Sequence, residues 1–543
     1  MKHFGAAVTR GVAGAYVVSL MLALCACQEA TSKELTTGRW LIGDFHNHTY
    51  LTDGEHTPEQ VLAQAFDFGL DWIANSEHGG AFSRTPEGQP WPVDTAFLGG
   101  PPPGRMWRWQ SLWQYSYPLV VKARATWLDK LIVQGYEWNV PAHDHASVAI
   151  VGASEEGGLA IARHAYLFDD KDGGSRGASY LGLDDPGRKI TRNDHEKAVA
   201  GVEWLERQYP RNSYFLINHP SRWQNYPVAA MRDFHDAAPQ VAFGFEGVPG
   251  HQKAARRGQY DGGPFLDSSG RDVTFKAQTY GGVDYMLAKV GGAWDALLGE
   301  GRQFFIFANS DFHQTDYDFW PGEYAKTYTY VQDQNNDGNY GAEEVVAGMR
   351  SGNSFVVLGD LIDGLQFSVR CRQKTAAGAA AAEMGGSLAM GADCDPEMII
   401  RFRSPEKNNN GDAVVVDHID LIAGEVQGRA AKVLADGVTP NPEYEKESNA
   451  GTKVVASFTQ KEWQEEPAGP DGSWQTIVYP LPPLERDMYF RLRGTNLGTD
   501  VHGETDEAGN PLNDELMAPN TKDKAYADLW FYSNPVFVRV GGK

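Results

Sequence analysis

Cysteine is scarce in this chain, with 4 among 543 residues. Two of them, Cys25 and Cys27, fall in the opening segment, so the rest of the chain has one possible pair, Cys371 and Cys394. Outside the cytosol that pair is a candidate disulfide, although spacing alone does not fix its geometry. Basic runs are missing as well. Lys and Arg number 48 against 71 Asp and Glu, a net charge of -23. Nucleic-acid binding needs clustered positive charge, so this balance argues against it and no such binding is expected. Anionic substrates are not excluded, because bound metal cations would dominate the field around them. After the opening segment no apolar run is long enough to cross a membrane as a helix. Hydrophobic residues make up 42% and charged residues 22%, the balance of a globular protein, and 543 residues call for two folded domains.

The opening is a targeting segment. Lys2 and Arg10 mark a short basic region, and residues 12–24 form an apolar stretch too short to span a bilayer stably. Its end, Leu24-Cys25-Ala26-Cys27, resembles the lipobox of bacterial lipoproteins, with Cys27 as the lipidated residue. Cys25 fits worse, since Leu24 would then occupy the position that needs a small residue. The expectation is a signal peptide at 1–26, a polar tether at 27–39 and an exported bacterial protein. A lipid would anchor it to the membrane, facing the periplasm or the cell exterior. An ordinary cleaved signal peptide is the alternative.

Chemistry concentrates in residues 43–80, GDFHNHTYLTDGEHTPEQVLAQAFDFGLDWIANSEHGG. Trp40-Leu41-Ile42 reads as a strand, followed by His46, His48 and Asp53. Thr57 suits an N-cap, Pro58 the first helical position and Gly69 a helix stop. A second strand, residues 70–74, delivers Glu77 and His78. In a β-α-β unit the strands run parallel, so His46, His48, Asp53 and His78 meet at one rim. Imidazole with carboxylate is a ligand set for zinc, iron or manganese. The pattern then repeats. Strands are predicted to end at Glu137, to start at His145, and to end at His219-Pro220, at Glu246 and at Asp311-Phe312-His313. Between them lie residues 81–125, rich in Pro, Gly and Trp, which read as a long loop insertion that lines a cleft or packs on itself. Residues 153–190 read as another surface excursion. A helix is predicted from Asp194 to Gln208 and helical structure over 280–300. Metal-type residues at successive strand ends, with helices between, point to an α/β barrel with its chemistry on one face.

The set HNH, TDG, SEH, GYEW, HDH, NHP and SDFH, in this order over residues 43–313, resembles the PHP (polymerase and histidinol phosphatase) metallohydrolases. The resemblance implies a distorted (β/α)7 PHP barrel, here residues 40–362, with two or three divalent transition metals. His46, His48, Glu137 and Asp311 would hold one ion. Glu137, His145 and His219 would hold a second, and Asp53, His78 and His313 a third. His145 fits better than His143 because the family places this histidine directly before a strand. The chain departs from the family at Ser76-Glu77-His78, where many members have Thr-Asp-His, which leaves the role of Glu77 open. The implied nucleophile is a hydroxide bridging two ions, aimed at phosphorus or a carbonyl carbon. Arg222 and His145 are assigned to catalysis, Arg222 as a phosphate clamp; a surface salt bridge is its plainer role. The expected activity is phosphomonoester or phosphodiester hydrolysis of a small-molecule substrate. The rivals are carbamate, ester or amide hydrolysis on the same site, and a surface binding protein with structural metals.

Residues 333–344, DQNNDGNYGAEE, match the D-x-[DN]-x-[DN]-G-x5-E calcium loop. Asp333, Asn335, Asp337, Asn339 and Glu344 are the candidate ligands, with Gly338 at the sharp turn. An Asx-rich turn without an ion is the alternative. Beyond residue 362 short alternating strands are predicted at 365–369, 398–403, 414–422, 453–458, 474–478, 488–493 and 535–540. Turn residues separate them, which suggests an all-β sandwich over 363–543 that braces the barrel or binds glycans. Residues 376–382 are alanine-rich and read as a loop.

Overall fold

Strand residues of the first half alternate between two apolar surfaces, and both are buried. In the computed structural model, residues 38–172, 178–183, 192–260, 263–267, 269–373, 380–391, 393–467, 472–514 and 522–541 are described. The expected signal peptide, Cys27 and most of the expected tether, together with parts of the 153–190 and 376–382 segments, lie outside the described residues. Among the described residues no helix is long and apolar enough to cross a membrane.

The elements that carry the site are, in order, β1 (Gly38–Asp44), α1 (Pro58–Asp67), β2 (Trp72–Asn75), β3 (Leu131–Asn139), β4 (His145–Ile150), α2 (Leu159–Phe168), α3 (His195–Gln208), β5 (Ser213–Ile217), α4 (Val228–Ala237), β6 (Ala242–Val248), β7 (Phe305–Ala308), β8 (Ala325–Gln332), α5 (Ala342–Ser351) and β9 (Ser354–Leu358). The strands pair in the order β7-β6-β5-β4-β3-β2-β1-β8-β9. Neighbours β1, β2 and β3 are parallel, and so are β5, β6 and β7. β4 runs against both of its neighbours. Its reversal explains why His145 reaches the rim from the start of a strand.

The sheet curls until β7 faces β8. There the Thr327 hydroxyl accepts the Ala308 N–H at 2.7 Å and donates to the Ala308 carbonyl at 2.9 Å. Among the described residues this side chain, not a backbone ladder, joins the two strands, so the sheet is wrapped rather than closed as a ring. Inside the wrap lie Leu41, Trp72, Ala74, Val133, Ala149, Tyr214, Leu216, Phe243, Phe305 and Phe307. Val345, Val346 and Met349 of α5 join them. Ile73 and Ile132, one residue out of step, face outward onto Val61, Leu62 and Ala65 of α1. Period two on strands thus supplies an inner and an outer core from the same residues. α1 begins with Thr57 and Gln60 bonding each other's main chain, at 3.2 and 3.0 Å, and Gly69 follows it at φ +87°.

Two segments read as loops contain helices. Residues 108–126 are helical, with a π-turn over Leu112–Ser116. Their Trp107 and Trp109 are core residues rather than cleft walls. The 153–190 segment contains α2, buried over most of its length, where a surface excursion was expected. In both, flanking Gly, Pro and Asp mask a run that helix packing then buries. The region read as helical at 280–300 forms two short helices, Tyr285–Ala288 and Ala293–Gly299.

The C-terminal region is antiparallel except that Ser387–Met390 runs parallel to Val536–Val540. β10 (Gly364–Cys371), β11 (Pro396–Arg403) and β12 (Gln475–Pro480) form the centre of a five-stranded sheet. A second set, β13 (His418–Glu425), β14 (Lys453–Thr459), β15 (Met488–Thr495), β16 (Trp530–Ser533) and β17 (Val536–Val540), continues the first sheet, because β16 pairs with β9. The strand expected from residue 414 begins at His418. Apolar side chains of both sheets share one core. Cys371 and Cys394 are bonded, with an S–S distance of 2.01 Å.

Candidate metal centre

The loop after β1 is shaped by groups that point away from its histidines. Asp44 accepts the His46 N–H at 2.9 Å through one oxygen and the Ser310 N–H at 2.8 Å through the other, tying the loops after β1 and β7 together. Asn47, between the two histidines, donates to the Ala74 carbonyl at 2.9 Å, and its N–H reaches Ser76 Oγ at 2.7 Å. His46 and His48 are therefore turned the opposite way, into the rim. Glu77 is buried and accepts the Thr49 N–H at 3.1 Å, the Asn75 amide at 3.2 Å and the hydroxyls of Thr49 and Thr52. It fixes the loop that leads to Asp53 and faces no imidazole. Burial raises its carboxyl, and Arg108 works against that.

Glu137 stands at the centre. Its Oε1 lies 3.0 Å from His46 Nε2, 3.0 Å from His145 Nδ1 and 3.5 Å from His219 Nε2. Its Oε2 contacts His78 Nδ1 and lies 3.7 Å from His48 Nε2. Asp311 Oδ1 is 3.0 Å from His46 and 3.1 Å from His48. Asp53, half exposed at the mouth, is 3.4 Å from His78 and 3.6 Å from His313. All nine residues singled out in the sequence thus fall in one cluster. Four-residue and three-residue groups within it are close enough to share an ion: His48, Asp53, His78 and His313; His46, His48 and Glu137; His46, His219 and Asp311; and His78, Glu137 and His145. His143 is elsewhere, bonded to the Asn225 carbonyl and to His195.

The donor set fits divalent ions. His48 Nδ1 and both ring nitrogens of His219 are buried without a hydrogen-bond partner. Each such orphan costs about 1–3 kcal/mol unless something coordinates it. Burial pushes Glu137 up, but His145, His78 and His46 outweigh it and hold the carboxylate well below its ordinary range. Burial also favours protonation of Asp311, and His46 and His251 more than offset it. Desolvation, then His313 and His78, holds His48 well below 6.5, the neutral form a metal needs. His219 and Asp311 keep positive φ of 29° and 42°, a conformation rare for side-chain-bearing residues and concentrated at functional sites.

Further side chains surround the nine. Glu246 Oε1 is 3.0 Å from His46 Nδ1, while its Oε2 accepts the His219 N–H at 2.9 Å. Asn218 donates to Glu137 at 2.9 Å. His251 lies 3.0 Å from Asp311. Arg222 is nearly buried, with Nη1 3.7 Å from Asp311 Oδ2 and Nε 4.0 Å from Asp144 Oδ2. Ser221, its neighbour, is anchored on Asp284 through both N–H and hydroxyl, at 3.0 and 2.8 Å. From the 81–125 segment, Phe82 stacks on His78 with centroids 6.2 Å apart, and Arg108 donates to the His78 carbonyl at 2.7 Å.

The calcium-like loop differs. Asp333 accepts the Gly338 N–H at 2.8 Å, and Asn335 Oδ1 accepts the Asp337 N–H at 3.0 Å. Asn339 donates to the Asp337 carbonyl at 3.3 Å. Glu344 accepts the N–H groups of Gln334 and Gly341, at 2.8 and 2.9 Å. Its carboxylate caps α5, and among the described residues Asp333, Asp337 and Glu344 form no group close enough to share an ion.

No family model matches this chain, and no curated protein does. Among solved structures it is similar to a two-domain protein from Bacteroides vulgatus containing a predicted PHP-like metal-dependent phosphoesterase. The identity is 11% and the TM-score 0.32, over 89% of this chain and 95% of that one.

Proposed function

We propose that this chain is a metal-dependent phosphoester hydrolase. The observation that carries the reading is the convergence of His46, His48, Asp53, His78, Glu137, His145, His219, Asp311 and His313 around one buried carboxylate. His46, His48, Glu137 and Asp311 would hold one divalent ion, Glu137, His145 and His219 a second, and Asp53, His78 and His313 a third. Ions bound there supply a Lewis acid and a nucleophile active near neutral pH.

The chain's own residues do the rest. Glu246 and Asn218 hold His46 and Glu137 in place, and Asp44 sets the distance between the two loops that supply most ligands. Arg222 presents a guanidinium beside the acids, suited to the two free oxygens of a phosphoryl group and to charge that develops on them. That placement favours phosphorus over carbonyl substrates. The half-exposed Asp53 marks the open side, where substrate enters. Together with the lipobox, the reading is of a lipoprotein acting outside the cytoplasm on small phosphoesters.

The test is elemental analysis of the purified chain with a panel of p-nitrophenyl phosphate, bis-p-nitrophenyl phosphate and p-nitrophenyl acetate. Wild type is expected to hold zinc, manganese or iron and to hydrolyse a phosphoester. His46→Ala is expected to lose both metal and turnover while keeping its circular dichroism. Full turnover in that variant refutes the assignment; turnover on the acetate alone moves the chemistry to carbonyl carbon.

A further inference from the structure

His251 stands outside the residue set proposed to hold metal, yet it is built into the same rim. It sits in the loop after β6, buried, at φ 55°. The preceding Gly250 is forced by contact: a Cβ there would lie 2.0 Å from the Ser310 carbonyl oxygen and 2.4 Å from Asp311 Cβ. The loop is thus pressed directly onto the strand end that carries Asp311.

Both ring nitrogens of His251 face carboxylates. Nδ1 is 2.5 Å from Asp318 Oδ1 and Nε2 is 3.0 Å from Asp311 Oδ2. The second oxygen of Asp318 accepts the N–H groups of His313 and Gln314, at 2.6 and 3.0 Å. One carboxylate therefore grips His251 and the main chain of His313 at once.

Asp311 has two different faces. Oδ1 is turned to His46 and His48, at 3.0 and 3.1 Å. Oδ2 is turned to His251 at 3.0 Å and to Arg222 at 3.7 Å. Oδ2 is thus taken up by protein side chains on its own side, and Oδ1 is the oxygen turned to the two histidines. We propose that Asp318 and His251 form a brace that holds Oδ2 of Asp311 and so aims Oδ1 at the ion held by His46 and His48. His251 is a positioning residue and not a ligand, although His251, Asp311 and His313 are close enough to share an ion. The inference rests on the metal-hydrolase reading.

The experiment is zinc binding by competition with a chromophoric chelator, with stoichiometry at saturation and the visible spectrum of the cobalt-loaded protein. The proteins are wild type, His251→Ala, His251→Gln, Asp318→Asn and the double variant H251A/D318N, each checked for fold by circular dichroism. His251→Ala and Asp318→Asn are expected to weaken zinc binding roughly 10–100-fold, the range for losing a partner of a ligand. The number of ions at saturation should stay that of wild type. The double variant should bind no more weakly than the worse single one, because the two residues act through one chain. His251→Gln keeps an N–H donor toward Asp311 and should recover part of the affinity. Unchanged affinity in the single variants overturns the brace, and so do additive losses. Loss of one whole equivalent with a changed cobalt spectrum makes His251 a ligand and also overturns it. A wild-type chain that binds no zinc overturns the metal reading, and the brace with it; wild-type binding matched by the variants overturns the brace alone.

Discussion

Replacing Glu246 by Gln keeps the volume of a fully buried side chain and removes its charge. Glu246 Oε1 receives His46 Nδ1 at 3.0 Å and the Asn309 amide at 3.2 Å, while Oε2 receives the His219 N–H at 2.9 Å. An amide has one oxygen for these three donors. Whichever way it turns, its own NH2 meets a buried N–H. A hydrogen bond to a charged group contributes about 1.5–3 kcal/mol, and a buried donor left unpaired costs about 1–3 kcal/mol. The His46 part of that loss loosens the ring that meets both Glu137 and Asp311. At about 1.4 kcal/mol per decade it corresponds to roughly 10–100-fold weaker metal binding, which matches the usual cost of losing a carboxylate behind a ligating histidine. The His219 part falls on folding and should lower the urea midpoint. The assay is chelator competition at neutral pH beside urea unfolding of the same preparations. A variant that is destabilised yet binds zinc within about three-fold of wild type would show that Glu246 only fills space, and the account of His46 would be wrong.

The remaining predictions concern stability. His235 on α4 is held neutral, pushed from 6.5 down to about 3 by burial and then by Arg302 and Arg429. Its contribution is complete above pH 6.5 and is lost as pH falls toward 3, because the unfolded chain binds the proton first. His235→Asn should flatten the fall in stability between about pH 6 and pH 5 by about 1.4 kcal/mol, read from urea midpoints at both values; parallel curves for the two proteins would count against it. The Cys371–Cys394 bond closes a sequence separation of 23, and opening it should cost about 3 kcal/mol. A urea midpoint indifferent to reductant would contradict this.

Local signals were legible and long-range ones were not. Thr57, Pro58 and Gly69 mark α1 because capping and left-handed stops are set by neighbouring residues. The cluster residues His46, His48, Glu137 and Asp311 are readable because each follows or ends an apolar run of strand length. Their partners are readable only in part. Asp44 and Glu246 are acids within apolar strands, where an unpaired charge is costly, and that mismatch alone points to a buried partner. Glu246 ends a strand in the sequence reading but receives no role there. His251 and Asp318 lie in loops with no periodicity, and only the fold brings them to Asp311. The direction of β4 is equally hidden, since a strand's apolar pattern is the same read either way. α2 was obscured because its flanks look like loop, and the continuation of the first sheet through β16 joins residues far apart in the chain.

That continuation has a bearing on how the protein is made. β9 lies between β8 and β16, and Phe355, Val356 and Val357 take their second row of backbone partners from Ser533, Tyr532 and Phe531. During synthesis the half that carries the His/Asp/Glu cluster leaves the ribosome long before those partners exist. Until they arrive, β9 is a bare apolar edge, the kind of surface that recruits stray strands from other chains.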